Sequence, residues 1–220
     1  MKKPFSTLML AACCAGISAP TWAQEYMFTY SKLYSQMKNN VKENHEDVKV
    51  GFFFVDADSK QLCRIEKAWM EKEEHYEELT PSSGNELVVP LDNNLRQANP
   101  LVFVDTPNDR RCDFSMVVMT KQPLGGKVSY AQVEKLLPQM QSMLEDLGGM
   151  FASWFTPAVT GVTLEFAHDV NSPIELSNGS TIRVINGKAQ VELSQIGPDG
   201  WMSLPQATTR VLPYLPKAKK

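Results

Sequence analysis

Two stretches of the sequence decide the fold: FFVDADSKQLC, from Phe53 to Cys63, and VFVDTPNDRRC, from Val102 to Cys112. Each is an apolar run that ends in Phe-Val-Asp and is followed by six residues and then a cysteine. Aromatic and β-branched residues before a polar turn predict a strand that turns into a second strand. We therefore expect two β-hairpins whose cysteines lie at equivalent positions and come close together.

Cys63 and Cys112 are the two cysteines of the chain beyond its N-terminal segment. In an oxidising compartment such a pair most often forms a structural disulfide. Redox-active dithiols usually have Cys-x-x-Cys spacing, and metal sites need more ligands than the scattered His45, His75 and His168 provide. The sequence predicts a structural Cys63–Cys112 disulfide and no cofactor, with a redox pair, free thiols or a metal site as the alternatives.

The N-terminal segment has the pattern of a secretory signal peptide. Lys2 and Lys3 precede an uncharged run over residues 5–17, and small residues occupy the positions expected before a cut between Ala23 and Gln24. We expect residues 1–23 to be removed and the mature chain to be periplasmic or secreted.

A lipid anchor is the alternative for the same segment. The sequence LAAC, from Leu10 to Cys13, resembles the lipobox of bacterial lipoproteins and would leave Cys13 as an acylated N-terminus. The apolar run before Cys13 is about half the usual length, so cleavage before Gln24 is the preferred interpretation.

The charge of the chain argues against nucleic acid as a partner. The formal net charge is −3, and it becomes −5 without residues 1–23, which carry two lysines and no acidic residue. Nucleic-acid-binding proteins concentrate Lys and Arg, which a mildly acidic chain does not provide. No later segment approaches the ~20 apolar residues of a membrane helix, so we expect no transmembrane segment in the mature chain.

We predict an α+β, β-dominated architecture in two units. The first unit, residues 24–122, is an antiparallel β-sandwich-like domain held by the disulfide, and ELVVPLD is expected to be one of its strands. The Pro/Gly-containing joint QPLGGKVS follows. The second unit, residues 125–215, is a kinked helix packed on an antiparallel β-meander, and residues 216–220 form a basic tail.

Local signals in the second unit support that prediction. Ser129 can cap a helix, with Gln132 completing a capping box, and Pro138 predicts a kink or a new start within the helix. Asn178-Gly179 and Asn186-Gly187 predict two-residue hairpin turns between strands.

The segment after this helix is unusually rich in methionine and aromatic residues. We interpret the apolar stripe first as packing of the helix against the C-terminal sheet. A second interpretation is a patch for a partner, and methionine-based copper binding is a third. The residues of the possible patch are Met143, Met150, Phe151, Trp154 and Phe155.

Motif matches give no catalytic, cofactor-binding or metal-binding residue. Asp56-x-Asp58 resembles the start of a calcium loop but lacks its glycine and distal glutamate. Ser35 and Lys38 match the Ser-x-x-Lys motif of penicillin-binding enzymes, but the third motif of those enzymes is absent. His168 has no nucleophile candidate near it in the sequence.

Several segments together resemble an exported gammaproteobacterial protein family of unknown function. They are YSKLYSQMKNN, the two cysteines, ELVVPLD, GVTLEF and RVLPYLPK, and the resemblance spans nearly the whole mature chain. It implies export and a two-cysteine, β-rich fold, and it implies no activity.

We therefore expect a non-catalytic envelope protein that binds or stabilises another envelope component, either a protein or a polysaccharide. One alternative is a periplasmic hydrolase whose site forms only in the fold, and the other is a lipid-anchored envelope lipoprotein.

Overall fold

The computed structural model describes residues 24–149, 156–167 and 169–216. The strands are β1 (Gln24–Thr29), β2 (Val48–Asp56), β3 (Lys67–Lys72), β4 (His75–Glu78), β5 (Leu101–Thr106), β6 (Cys112–Thr120), β7 (Lys127–Ser129), β8 (Gly161–Glu165), β9 (Ile174–Leu176), β10 (Thr181–Ile182), β11 (Lys188–Glu192), β12 (Trp201–Ser203) and β13 (Arg210–Tyr214). The helices are α1 (Tyr30–Met37), a 3-10 helix (Lys38–Val41), α2 (Asn93–Ala98), α3 (Tyr130–Gly148) and α4 (Leu193–Ile196).

The strands form four antiparallel sheets, which confirms the predicted α+β, β-dominated class. The N-terminal sheet has the order β1-β5-β3-β4, and β2 pairs with β6 as a two-stranded central ribbon. The later strands form a four-stranded sheet of order β10-β9-β12-β7 and a three-stranded sheet of order β11-β8-β13.

The N-terminal sheet packs on the central ribbon through aromatic rings. Tyr26 contacts Phe54 with ring centroids 4.7 Å apart, and Phe28 contacts Phe114 at 4.6 Å. Alternation along each strand turns these side chains to one face, where packed rings contribute about 0.5–1.5 kcal/mol per pair beyond their buried area.

The Cys63–Cys112 disulfide is present, with the two Cα atoms 6.2 Å apart. Both cysteines attach to the end of β2. The Cys63 N–H donates to the Phe54 carbonyl at 2.8 Å, and Cys112 is the Cα partner of Asp56 in the central ribbon. The bond therefore joins two segments that β2 already holds together.

The expectation of two equivalent hairpins around these cysteines is wrong. The first stretch does turn back, but its return segment contributes only an isolated bridge between Val55 and Leu62. In the second stretch β5 pairs with β1 and β3, whereas β6 pairs with β2, so the turn carries the chain from one sheet to another. Alternating sequence indicates a strand, a turn and a strand, but it does not identify which strands pair.

The turn at Asp56 uses its carboxylate to order its own backbone. Oδ1 of Asp56 accepts from the backbone N–H groups of Asp58 and Ser59 and from the Ser59 hydroxyl. These bonds, mainly those from Ser59, hold the pKa of Asp56 below its usual value. The Asp-x-Asp pattern therefore forms a self-bonded Asx turn.

The prediction of a strand at ELVVPLD is wrong, although the segment is extended and alternates in burial. Leu87 and Val89 are buried while Val88 is 47 % exposed, and the Leu87 N–H donates to the carbonyl of Phe52. Pro90 has no N–H to give to a ladder, and its carbonyl accepts from the Tyr30 hydroxyl at 2.7 Å.

The signals read from the second half are largely confirmed. Ser129 and Gln132 form the predicted capping box, and α3 continues through Pro138. Asn186 and Gly187 both have positive φ in a two-residue turn between Ile185 and Lys188. The other predicted turn is longer: the Leu176 N–H bonds to Ser180 O around a three-residue loop with Gly179 at φ +82°.

Helix α3 contacts strands from both halves of the chain, including β2, β6 and β8. Its Gln139 side chain accepts from the Asp47 N–H and donates to the Asp47 carboxylate, each at 2.9 Å, and Lys135 pairs with the same carboxylate. Most of the buried apolar side chains of the described residues form one continuous cluster, which draws on both halves of the chain. The domain boundary near residues 122–125 stays a prediction from the sequence.

Replacing Cys63 with Ala should lower the free energy of unfolding. A closed loop with a sequence separation of 49 residues contributes ~4 kcal/mol in the chain-entropy model. Urea denaturation with and without reductant checks this: wild type in reductant should unfold at the same midpoint as Cys63→Ala. An unchanged midpoint for the variant without reductant would show that the disulfide does not stabilise the fold.

Candidate functional site

A buried carboxylate at the end of β8 is paired with a cation on each neighbouring strand. Glu165 is the Cα partner of Lys188 on β11 and of Arg210 on β13. Lys188 Nζ lies 2.8 Å from Oε1 of Glu165, and Arg210 Nε donates to Oε2 at 2.6 Å, with Arg210 Nη2 also in contact. The Glu165 side chain is only 7 % exposed, so these cations compensate a charge that burial would otherwise disfavour.

Arg210 also covers an aromatic ring on β2. Its guanidinium carbon lies 4.8 Å from the centroid of Phe53, which is 1 % exposed and lies outside the main core cluster. Gly51 makes room for that ring, because a Cβ there would lie 2.7 Å from Phe53 Cε2 and 3.1 Å from Met119 Sδ. Arg210 therefore joins the three-stranded sheet to the second face of β2.

A second ion pair lies on the same side of β2. Lys49 Nζ contacts both carboxylate oxygens of Glu86, at 2.8 and 2.7 Å. The Glu86 backbone is ordered by Ser82, whose hydroxyl accepts from the N–H groups of Gly84 and Glu86. The turn over residues 82–86 thus presents hydroxyls and a paired carboxylate beside Phe53.

Two clefts adjoin at Thr209 and Arg210, which line both. One has a volume of about 370 Å³ and lies over Phe53, and the other, of about 570 Å³, lies over the Asn186-Gly187 turn. Five cationic side chains line the two clefts against the carboxylates Glu86 and Glu165: Lys49, Lys60, Lys121, Lys188 and Arg210. We call this paired cavity the Arg210 cleft.

The Arg210 cleft is equipped for binding rather than for proton transfer. Both carboxylates are in short contacts with cations, so in this geometry they act as ion-pair partners. Uncharged hydrogen-bonding side chains add to the lining: Ser59, Gln61, Ser83, Asn85, Asn186 and Thr209. Hydroxyl, carboxamide and cationic groups together suit a polar, anionic ligand.

A histidine and a serine do meet elsewhere in the fold. His45 Nε2 lies 3.2 Å from Ser142 Oγ, and Nδ1 lies 2.8 Å from the carbonyl of Asn39. Asp146 approaches the same Nε2 at 3.7 Å, whereas in a catalytic triad the carboxylate orients the histidine through Nδ1. His45 is 1 % exposed, so this cluster ties the segment before β2 to α3.

The structure places some of the sequence-predicted site residues. Gln24 is the first residue of β1, and its Oε1 accepts from the Cys112 N–H at 3.1 Å, while Ala23 lies outside the described residues. Met143 of the possible partner patch is completely buried in the core and so is not exposed to a partner. Its other members, Met150, Phe151, Trp154 and Phe155, and also His168, lie outside the described residues.

Sequence reasoning did not single out the charged residues of the Arg210 cleft. One signal was available: Glu165 is a charged residue within the apolar strand GVTLEF, and a buried carboxylate requires a partner. Its partners Lys188 and Arg210 lie 23 and 45 residues later, where they look like ordinary polar positions of short strands.

Comparison with protein families gives one result. Residues 22–166 match the model of the family described as Protein of unknown function (DUF2987). The chain belongs to this family. No curated protein and no solved structure matches it.

The family match ends inside the Arg210 cleft. Glu165 lies within the matched residues of this DUF2987 chain, whereas Lys188 and Arg210 follow them. The match also divides the three-stranded sheet, because it includes β8 but neither of the strands that pair with it, β11 and β13.

Among the described residues, no helix is long and apolar enough to cross a membrane.

Arg210→Met should destabilise the protein by about 3 kcal/mol. It leaves Glu165 buried with only the more exposed Lys188, and breaking a buried ion pair on one side costs ~3–5 kcal/mol. Methionine keeps apolar cover over Phe53, so the loss reports mainly on the charge. Chemical denaturation gives the difference.

Two further variants separate the charge from other effects. Adding Glu165→Gln to Arg210→Met should recover part of the loss, because a neutral amide is less costly to bury unpaired. Arg111→Met removes an exposed pair with Asp113 and should cost ~1 kcal/mol or less. Equal effects of Arg210→Met and Arg111→Met would contradict the role of the buried pair.

Proposed function

We propose that this protein is an exported, non-catalytic envelope protein that binds an acidic polysaccharide chain in the Arg210 cleft. The observation that carries the proposal is the charge of that cleft, where five cations surround two carboxylates in a protein of formal net charge −3. Cations concentrated in a concave site raise the local concentration of an anionic ligand.

The shape and lining of the cleft support a polysaccharide in particular. Its two parts adjoin through Thr209 and Arg210, so one ligand chain could cross both parts and pass Arg210. Arg210 uses Nε and Nη2 on Glu165, which leaves the hydrogens of Nη1 for an anionic group. The surrounding hydroxyls and carboxamides match the hydroxyl groups of sugars.

Location in the envelope rests on two supports. The Cys63–Cys112 disulfide fits an oxidising compartment such as the periplasm or the exterior. The pattern of residues 1–23, with cleavage between Ala23 and Gln24, provides the route of export. A polysaccharide exposed in that compartment is the ligand class that these features make available.

Titration with polygalacturonate, an acidic polysaccharide, tests the proposal, and neutral dextran is the control ligand. We expect binding to polygalacturonate that weakens as salt is added, because exposed charges are screened. Lys60→Gln combined with Lys188→Gln should weaken it about tenfold, since each exposed charge contact contributes up to ~1 kcal/mol. Glu165 keeps Arg210 in this double variant, so the fold should persist.

The matched control is Lys32→Gln combined with Lys38→Gln. This pair removes the same charge from α1 and the adjoining 3-10 helix, away from the Arg210 cleft, and should leave affinity unchanged. If both double variants lost the same affinity for polygalacturonate, the binding would depend only on the net charge of the protein and not on the Arg210 cleft. Equal binding of dextran, or no binding of polygalacturonate at low salt, would refute an acidic polysaccharide as the ligand.

A further inference from the structure

The N-terminal sheet has a second face that turns away from the aromatic core. On β5 the inward residues Val102 and Val104 are fully buried, whereas Phe103 between them faces outward and is only partly buried. Register extends the same row across the sheet, with Met27 opposite Phe103 and Trp69 on its other side. We call this surface the outer face.

Large apolar side chains lie on all four strands of the outer face. Met27 is 61 % exposed and Tyr76 is 54 % exposed, and the Trp69 and Phe103 rings are stacked with centroids 5.1 Å apart. Tryptophan, tyrosine, phenylalanine and methionine are the residue types enriched at protein interfaces. The row of Met27, Phe103 and Trp69 spans three strands, and Tyr76 lies one row away on the fourth. Together they exceed the single scattered apolar residues of an ordinary surface.

Carboxylates border this apolar row. Glu25 and Asp105 lie in the neighbouring row on one side with Lys67, and Glu71 lies in the row on the other side. Glu78 is the partner of Trp69 on β4 and completes the border, so four carboxylates face one lysine. A second copy of this chain would bring like charges against like, whereas a basic partner would complement them.

One cation of the protein itself already lies over the aromatic rings of the outer face. Lys67 Nζ lies 4.6 Å from the centroid of the Trp69 ring and 5.7 Å from that of Tyr76. A cation over an aromatic face is stabilised by the ring quadrupole, and the surrounding carboxylates add to that attraction. Because Phe103 stacks on the Trp69 ring and Lys67 also lies over it, these two residues compete with stacking of a sugar on that ring.

The edge of the sheet next to Tyr76 favours a polypeptide. β4 is the last strand of the N-terminal sheet and, in the part of the chain that the structure describes, pairs only with β3. All four of its residues are exposed, so its second edge offers backbone groups to an incoming strand. The carboxylates of Glu77 and Glu78 would oppose pairing with another acidic edge and favour a basic one.

We propose that the outer face and the free edge of β4 bind a basic segment of a protein partner in extended conformation. The segment adds to β4 as a fifth strand, its cationic side chains lie among the carboxylates, and its apolar side chains pack beside Tyr76. This site shares no residue with the Arg210 cleft, so the proposal of a protein partner can be tested independently of polysaccharide binding.

A synthetic peptide of alternating lysine and leucine, about eight residues long, tests the proposal by calorimetry. The matching glutamate–leucine peptide is the control ligand. We expect the lysine peptide to bind and to slow hydrogen exchange at the backbone amides of β4, and we expect the glutamate peptide to do neither. Equal binding of both peptides, or unchanged exchange at β4, would overturn the proposal.

Substitutions on the outer face then test where the lysine peptide binds. Met27→Thr combined with Tyr76→Thr should weaken it at least tenfold, and Glu71→Gln combined with Glu78→Gln should weaken it by a similar factor. Val41→Thr combined with Val88→Thr alters exposed apolar residues elsewhere, and Glu43→Gln removes an exposed charge elsewhere. Both controls should bind as wild type does. A loss in the controls as large as in the outer-face variants would place binding elsewhere.

Discussion

The structure depends on burying β2 on both of its faces. One face carries Phe52 and Phe54 into the main core, against the N-terminal sheet and α3. The other face carries Phe53, which is covered by Arg210 and has room because Gly51 has no side chain. β6 pairs along the whole length of β2, and the disulfide anchors its end, so the layers of the protein meet at this strand.

The same constraint creates the candidate site. The guanidinium of Arg210 covers the buried Phe53 ring, and its side chain is itself only 12 % exposed. Its positive charge therefore needs a nearby negative partner, which Glu165 on β8 provides. Because Arg210 bridges the three-stranded sheet and β2, the surface on either side of it becomes concave where the two parts meet. Clefts between packed units are common places for ligands, and this one differs from the rest of an acidic chain in its positive charge.

The two proposed sites have opposite electrostatic character. The Arg210 cleft concentrates cations, whereas the outer face of the N-terminal sheet carries carboxylates around an apolar row. A chain that binds an acidic polysaccharide at one site and a basic protein segment at another would connect the two components.

The sequence by itself determined the β-dominated class, the disulfide, the capping box at Ser129 and the turn at Asn186-Gly187, because each depends on local pattern or on the number of cysteines. Strand pairing, the irregular ELVVPLD segment and the ion cluster around Glu165 were decided only by the tertiary structure. Alternation sets which way a side chain points but not which strand lies beside it. Glu165, Lys188 and Arg210 become neighbours only when β11 and β13 pair with β8, and no local signal encodes that contact.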